Sequence, residues 1–102
     1  MSEIVVEVVK FRLITGVNEN EFLAASNIMM KELGSLDGFI DRELLKKEDG
    51  TWMDVLHWEN MDDALKAFGL VLKLPLCLEY FKLIDESSME MGHYRLTQHF
   101  GI

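Results

Sequence analysis

The segment "EIVVEVVKFRLI" (3–14) is dense in Val and Ile and predicts a β-strand. Val5 and Val9 alternate with Val6 and Val8, so apolar side chains occupy both parities. A strand with one solvated face would not carry that pattern, and this one is expected to be covered on both sides. "TGV" then turns the chain, and Asn18 with Glu21 forms an N-cap and third-position pair. Phe22, Ala25, Met29, Leu33 and Leu36 follow at helical spacing, predicting an amphipathic helix over roughly 19–36. "DG" at 37–38 ends it, and "FIDRELLK" (39–46) reads as a second strand.

The Asp-Gly pair in "KEDGT" favours a tight hairpin into a third strand, "TWMDVLHWE" (51–59). Asn60 with Asp63 caps a second helix, which carries Ala64, Leu65, Phe68 and Leu72 at helical spacing. Pro75 lacks the N–H that a helix interior needs, so it is expected to start a separate short helix, 76–84. That helix places Cys77, Tyr80, Phe81 and Ile84 on one side, and "SSMEMGHYRL" (87–96) closes the chain as a fourth strand. The order β-α-β-β-α-β predicts an α+β, ferredoxin-like fold: a four-stranded antiparallel sheet with helices on one face. The two-sided apolar pattern of the first strand then predicts a dimer in which two sheets pair through their helix-free faces.

A length of 102 residues fits one domain, 1–102. A chain this short leaves a large share of its apolar surface uncovered, which also favours a partner. Ten basic against eighteen acidic residues give a net charge of −8, which disfavours nucleic acid and anionic membrane as partners. The longest apolar stretch, "FGLVLKLPLCL", is broken by Lys73 and Pro75 and is too short to span a bilayer. Acidic "MSEIVVEVVK" lacks the positive start of an export signal, and Cys77 is the only cysteine; both point to a cytoplasmic location.

Two segments carry a family resemblance: "GFIDRELLKKEDGTWMDVLHWENMDDALKAF" and "LPLCLEYFKLID". The first is a hairpin whose last strand ends in Trp-Glu before a capped helix; the second is a broken second helix with aromatics ahead of an Ile-Asp stop. Over about residues 3–96 the chain resembles the antibiotic-biosynthesis-monooxygenase-like (ABM) branch of the dimeric α/β-barrel superfamily. The resemblance implies a homodimer whose two sheets form an α/β barrel, with a pocket in each subunit between sheet and helices. The family includes cofactor-independent monooxygenases acting on polyphenols and quinols, haem-degrading enzymes, isomerases and proteins without established activity, so the fold does not choose the chemistry. Haem-degrading relatives pair a strand-three tryptophan, which Trp58 resembles, with a strand-one asparagine and a helical histidine. Phe11 lies near the first of those two positions and Tyr80 or Phe81 near the second, so haem degradation is not expected.

Strand alternation puts Trp52, Asp54, Leu56 and Trp58 on one face and Met53, Val55 and His57 on the other. If Trp58 faces the helices, as the resemblance implies, His57 points to the barrel and the partner subunit. His57 then reads either as a general base or as a hydrogen-bonded interface histidine, and no orienting partner is evident near it in sequence. His93 and His99 have no metal-ligand spacing, so no metal is expected. Cys77, among Leu76, Leu78 and Tyr80, reads as a core thiol.

The expected function is cofactor-independent, monooxygenase-like binding of a small hydrophobic aromatic or quinone-like molecule. Phe11, Trp58, Phe68, Tyr80 and Phe81 would form the cage, and Arg42, Tyr94 and His57 are the candidate polar or catalytic groups. The alternatives are a non-catalytic ligand-binding or assembly protein on the same scaffold, and an isomerase of a small lactone or diene.

Overall fold

The computed structural model describes residues 3–101. Strands β1 (Val5–Leu13), β2 (Phe39–Lys46), β3 (Trp52–Trp58) and β4 (Ile84–Arg95) form one antiparallel sheet in the order β2-β3-β1-β4. Helices α1 (Glu19–Leu33), α2 (Met61–Val71) and α3 (Pro75–Phe81) cover one face of it. The element order is the ferredoxin-like one, with the second helical region split in two.

Local chemistry sets the boundaries. The Asn18 side chain accepts from the backbone N–H groups of Asn20 and Glu21, and Asn60 accepts from that of Asp63, so both longer helices start on a side-chain cap. Helix α1 stops at Leu33, capped by Gly34, which leaves Leu36 in the following turn. Its buried stripe is Phe22, Ser26, Met29 and Leu33, and Ala25 packs partly buried against the same core. On α2 the buried residues are Ala64 and Ala67, while Leu65 is exposed. An i, i+3 pair of small residues thus faces the sheet.

Pro75 is the first residue of α3, where its missing N–H leaves no gap. The short helix ends at Phe81, and β4 begins at Ile84 rather than at Ser87. Polar "DESS" has little strand propensity of its own; pairing of Leu13 with Ile84 and Arg12 with Asp85 draws it into the sheet. A bulge at Ile40 lets Phe39 and Asp41 pair with the consecutive residues Trp58 and His57. The extra residue lies in β2, so the alternation of β3 is undisturbed. Gly38, at φ +81°, approaches Asp63 so closely that a Cβ there would lie 2.5 Å from its carboxylate.

The core lies between sheet and helices. Val5, Phe11, Trp52, Leu56, Trp58 and Ile84 project into it from the strands, Phe22, Met29 and Leu33 from α1, and Cys77 and Tyr80 from α3. Trp58 therefore faces the helices and His57 the opposite side, where Val6, Val8, Met53 and Val55 are only partly covered. No helix among the described residues is long and apolar enough to cross a membrane.

Candidate functional site

A cavity of about 670 Å³ opens between the helix-facing side of the sheet and helices α1 to α3, within the size range of small-molecule sites. Its wall is mainly apolar, and Phe11, Trp58, Phe68, Tyr80 and Phe81 all line it. The aromatics brace one another edge-on: Phe11 contacts Tyr80 with ring centroids 6.5 Å apart, Phe81 contacts Tyr80 at 5.7 Å, and Phe39 supports Trp58 from behind at 5.7 Å.

Arg42 reaches the cavity from β2, which faces it inward at the register position opposite Leu56. Its Nε donates to Asp54 Oδ1 at 2.6 Å, Nη1 to Ser26 Oγ at 2.8 Å and Nη2 to the Tyr80 hydroxyl at 3.1 Å. Tyr80 in turn donates to Asp54 Oδ2 at 2.6 Å, so both oxygens of that buried carboxylate are engaged. Burial opposes the Arg42 charge, but adjacent Asp54 outweighs it, with help from Tyr80, and the guanidinium's pKa rises. Burial, then the negative charge of Asp54, lifts the Tyr80 phenol far above its ordinary range, so it stays a neutral donor. The network is closed on itself.

A second polar group, Glu7, enters from β1. Register places His93, Glu7, Leu56 and Arg42 in one row across the four strands, all on the helix side. Glu7 and Arg42 are thus two strand spacings apart, roughly 10 Å. Trp58 Nε1 donates to Glu7 Oε1 at 3.2 Å, and His93 Nε2 lies 3.2 Å from the same oxygen. Phe68 packs edge-on against the His93 ring, with centroids 6.4 Å apart. Desolvation raises the Glu7 pKa above its ordinary 4.5, although His93 and the Trp58 N–H pull the other way. Both hydrogen bonds converge on Oε1; among the described residues Oε2 has no partner. No fully buried described side-chain oxygen or nitrogen lacks a hydrogen bond, so Oε2 is not sealed off, and Glu7 itself lines the cavity.

Of the candidate polar residues named from sequence, only Arg42 lines the cavity. His57 and Tyr94 stand on the far face of the sheet, at neighbouring register positions opposite Val6. His57 does have an orienting partner there: its Nδ1 lies 2.7 Å from Asp41 Oδ1, brought across the strands by the bulge at Ile40. Cys77 is fully buried, and burial together with Glu32 pushes its thiol up to about 12, which removes it as a nucleophile. Among the described residues no three His, Cys, Asp or Glu side chains converge as metal ligands would.

Sequence reasoning did not name Glu7 or Asp54 as site residues, and weighed His93 only as a metal ligand. The signal for Glu7 was present: it shares the parity of Val5, Val9 and Phe11 in "EIVVEVVKF", so whichever face buries Phe11 also takes a carboxylate.

Fold and cavity together define a ferredoxin-like α+β domain with a ligand-sized aromatic pocket under its split helical layer. Solved structures extend that class. SnoaB, a cofactor-independent oxygenase from Streptomyces nogalater, superposes with a TM-score of 0.78 at 19% identity, covering 96% of this chain and 97% of that one. A candidate antibiotic biosynthesis monooxygenase from Bordetella bronchiseptica gives a TM-score of 0.73 at 16% identity, over 95% of this chain and 100% of that one. Rv0793 from Mycobacterium tuberculosis gives 0.70 at 14%, over 96% and 99%. No sequence-family model and no curated protein sequence matches the chain. At these identities the likeness establishes the fold: the chain has the architecture of the ABM-type proteins.

Proposed function

We propose that this protein is a homodimeric, cofactor-independent monooxygenase that oxygenates a small, hydrophobic, hydroxylated aromatic molecule. The observation that carries the reading is a cavity of about 670 Å³ whose aromatic wall is interrupted by polar groups at two separated points, Glu7 and the Arg42–Asp54–Tyr80 cluster. An apolar cage with few, well-placed polar groups suits a flat polycyclic ligand and excludes water from it.

Oxygenation without a cofactor needs a substrate that can become a stabilised carbanion. An anthrone-type ring system meets that need: loss of one proton gives an anion delocalised over the rings, which passes an electron to dioxygen. Recombination forms a peroxide at the ring carbon. Loss of water from the peroxide leaves a carbonyl, so that one ring methylene and one dioxygen give one ring carbonyl and one water. The substrate and dioxygen carry the electrons; the protein binds, orients and moves protons.

The homodimer is proposed through the helix-free sheet face. Val6, Val8, Met53 and Val55 form a partly covered apolar patch there, flanked by exposed Leu45 and Tyr94. Such a patch favours burial by a second copy. Oxygen-electrode assays with a panel of anthrones and quinols test the activity. Consumption of one O2 per substrate, with a carbonyl product, is expected; saturable binding of the whole panel without uptake would make this a binding protein instead.

A further inference from the structure

We infer that Glu7 is the catalytic base, taking the acidic ring-carbon or hydroxyl proton from the bound aromatic while His93 and Trp58 hold it in place. The inference rests on the oxygenase reading for its substrate class, and it is carried by the geometry of the β1–β4 end of the cavity. There a carboxylate stands in a valine-rich strand, at a parity otherwise held by Val5, Val9 and Phe11. Fold stability alone would put an aliphatic side chain at that position, since burying a carboxylate opposes folding unless a cation neutralises it. Arg42 lies beyond Leu56 and is already matched to Asp54. Glu7 is held by one indole N–H and one imidazole, both on the same oxygen. Its second oxygen is left to a ligand.

The other acceptors are unsuited. Asp54 has both oxygens engaged by Arg42 and Tyr80. His57 and Tyr94 are across the sheet, and Asp85 and Glu86 lie beside Ile84 on β4, well along the strand from Glu7's partner His93.

The proton step balances simply. The C–H or O–H bond of the substrate breaks, its electron pair stays on the ring system, and the proton bonds to Glu7 Oε2. After dioxygen adds, the same carboxylic acid can return that proton to the peroxide, so Glu7 ends as it began. His93, on edge strand β4 with its side chain 15% exposed, links the carboxyl to solvent. The substrate must therefore carry an acidic hydrogen: a phenol, enol or anthrone binds as a reactant, and the corresponding quinone only as a product.

Proton abstraction can be separated from oxygen chemistry by working without oxygen. Dithranol, a dihydroxyanthrone, exchanges its ring-methylene hydrogens with heavy water once a base removes them, which NMR follows directly. The wild-type protein should accelerate this anaerobic exchange. Its rate should rise through one limb as Glu7 ionises, above the ordinary carboxylate range. Besides burial, His93 from β4 and Trp58 and Asp54 from β3 shape this limb. The other polar groups of the wall are Arg42 from β2, Tyr80 from α3, Lys82 after it, and Asp85 and Glu86 from β4, while α2 contributes only uncharged Ala67, Phe68 and Val71. Glu7→Gln is isosteric and keeps an oxygen for Trp58, so it should still bind dithranol, read by tryptophan quenching, while exchange falls about 100-fold and the limb disappears. Glu7→Asp, shorter but still acidic, should restore part of the rate.

Full exchange by Glu7→Gln, or no exchange by a wild-type protein that binds dithranol, overturns the inference. So does a wild-type protein that does not bind it. Glu7-dependent exchange without oxygen uptake in air keeps the base and overturns the oxygenase reading; uptake that survives Glu7→Gln does the reverse.

Discussion

At the α3 end of the cavity, Asp54 meets a guanidinium, a phenol and, through Arg42, a serine hydroxyl, so that every polar atom of the carboxylate has a partner. At the β4 end, Glu7 meets an indole and an imidazole on one oxygen and leaves the other open. Both are carboxylates on adjacent strands of one sheet, facing the same space. They differ in what their neighbours do with the charge. Around Asp54 the charge is neutralised and fixed, which suits a joint tying β2, β3, α1 and α3 together. Around Glu7 it is desolvated and only partly compensated, which suits proton transfer. A satisfied network holds a wall in place; an unsatisfied one can still react.

Changes at the joint should give the largest effects. Asp54→Ala leaves the Arg42 charge buried without its counterion, and should destabilise the fold by about 3–5 kcal/mol in urea or guanidinium titrations. Tyr80→Phe keeps the ring packing and the ion pair but strips one donor from Asp54, for an expected loss of about 1–3 kcal/mol. A loss below a few tenths in either case would mean that the cluster is not a joint.

At the other end the prediction concerns pH. Glu7 in the folded protein ionises above its ordinary value of 4.5. Well below pH 4.5 the group is protonated in both states and contributes no slope. As pH rises, the unfolded chain ionises first and the folded state binds the extra proton, so stability should fall until the folded carboxyl ionises too. Glu7→Gln should flatten that decline and leave the protein at least as stable as wild type near neutral pH. A steeper decline in the variant would show that the buried carboxylate stabilises the fold, which would erase the contrast with Asp54.

The smallest effect on folding is expected from His57→Ala. The residue is partly exposed and bonded only to Asp41, so monomer stability should change by no more than about 0.5 kcal/mol. If the proposed homodimer forms through this face, sedimentation at micromolar concentrations should instead show it weakened. Loss of turnover with the dimer intact would move the chemistry to the far face of the sheet.

The strand faces were legible in sequence because a period of two is unambiguous once one member is placed. Trp58 and His57 fall on opposite sides, and the aromatic residues expected to form a cage meet around a single cavity. What sequence could not supply was cross-strand register. Arg42 finds Asp54 and Tyr80 only after β2 and β3 pair around a bulge and α3 is laid over them; the separations of 12 and 38 residues carry no signal. Glu7 and His93 are 86 residues apart and meet for the same reason. On α2 helical spacing groups Ala64 with Leu65, and only packing against the sheet separates them, with Ala64 buried and Leu65 exposed.

The interruption between α2 and α3 has a consequence for how such a domain can diversify. Phe68, Leu72 and Leu78 flank the break and line the cavity, yet all three are exposed and none belongs to the buried core. Substitutions at exposed positions ordinarily shift stability by no more than about 0.5 kcal/mol. This stretch of the cavity wall is therefore insulated from the residues that keep the chain folded. Under the proposed function, the ring size and substituent pattern accepted can drift at Phe68, Leu72 and Leu78 while the carboxylate at position 7 and the joint at Asp54 stay as they are.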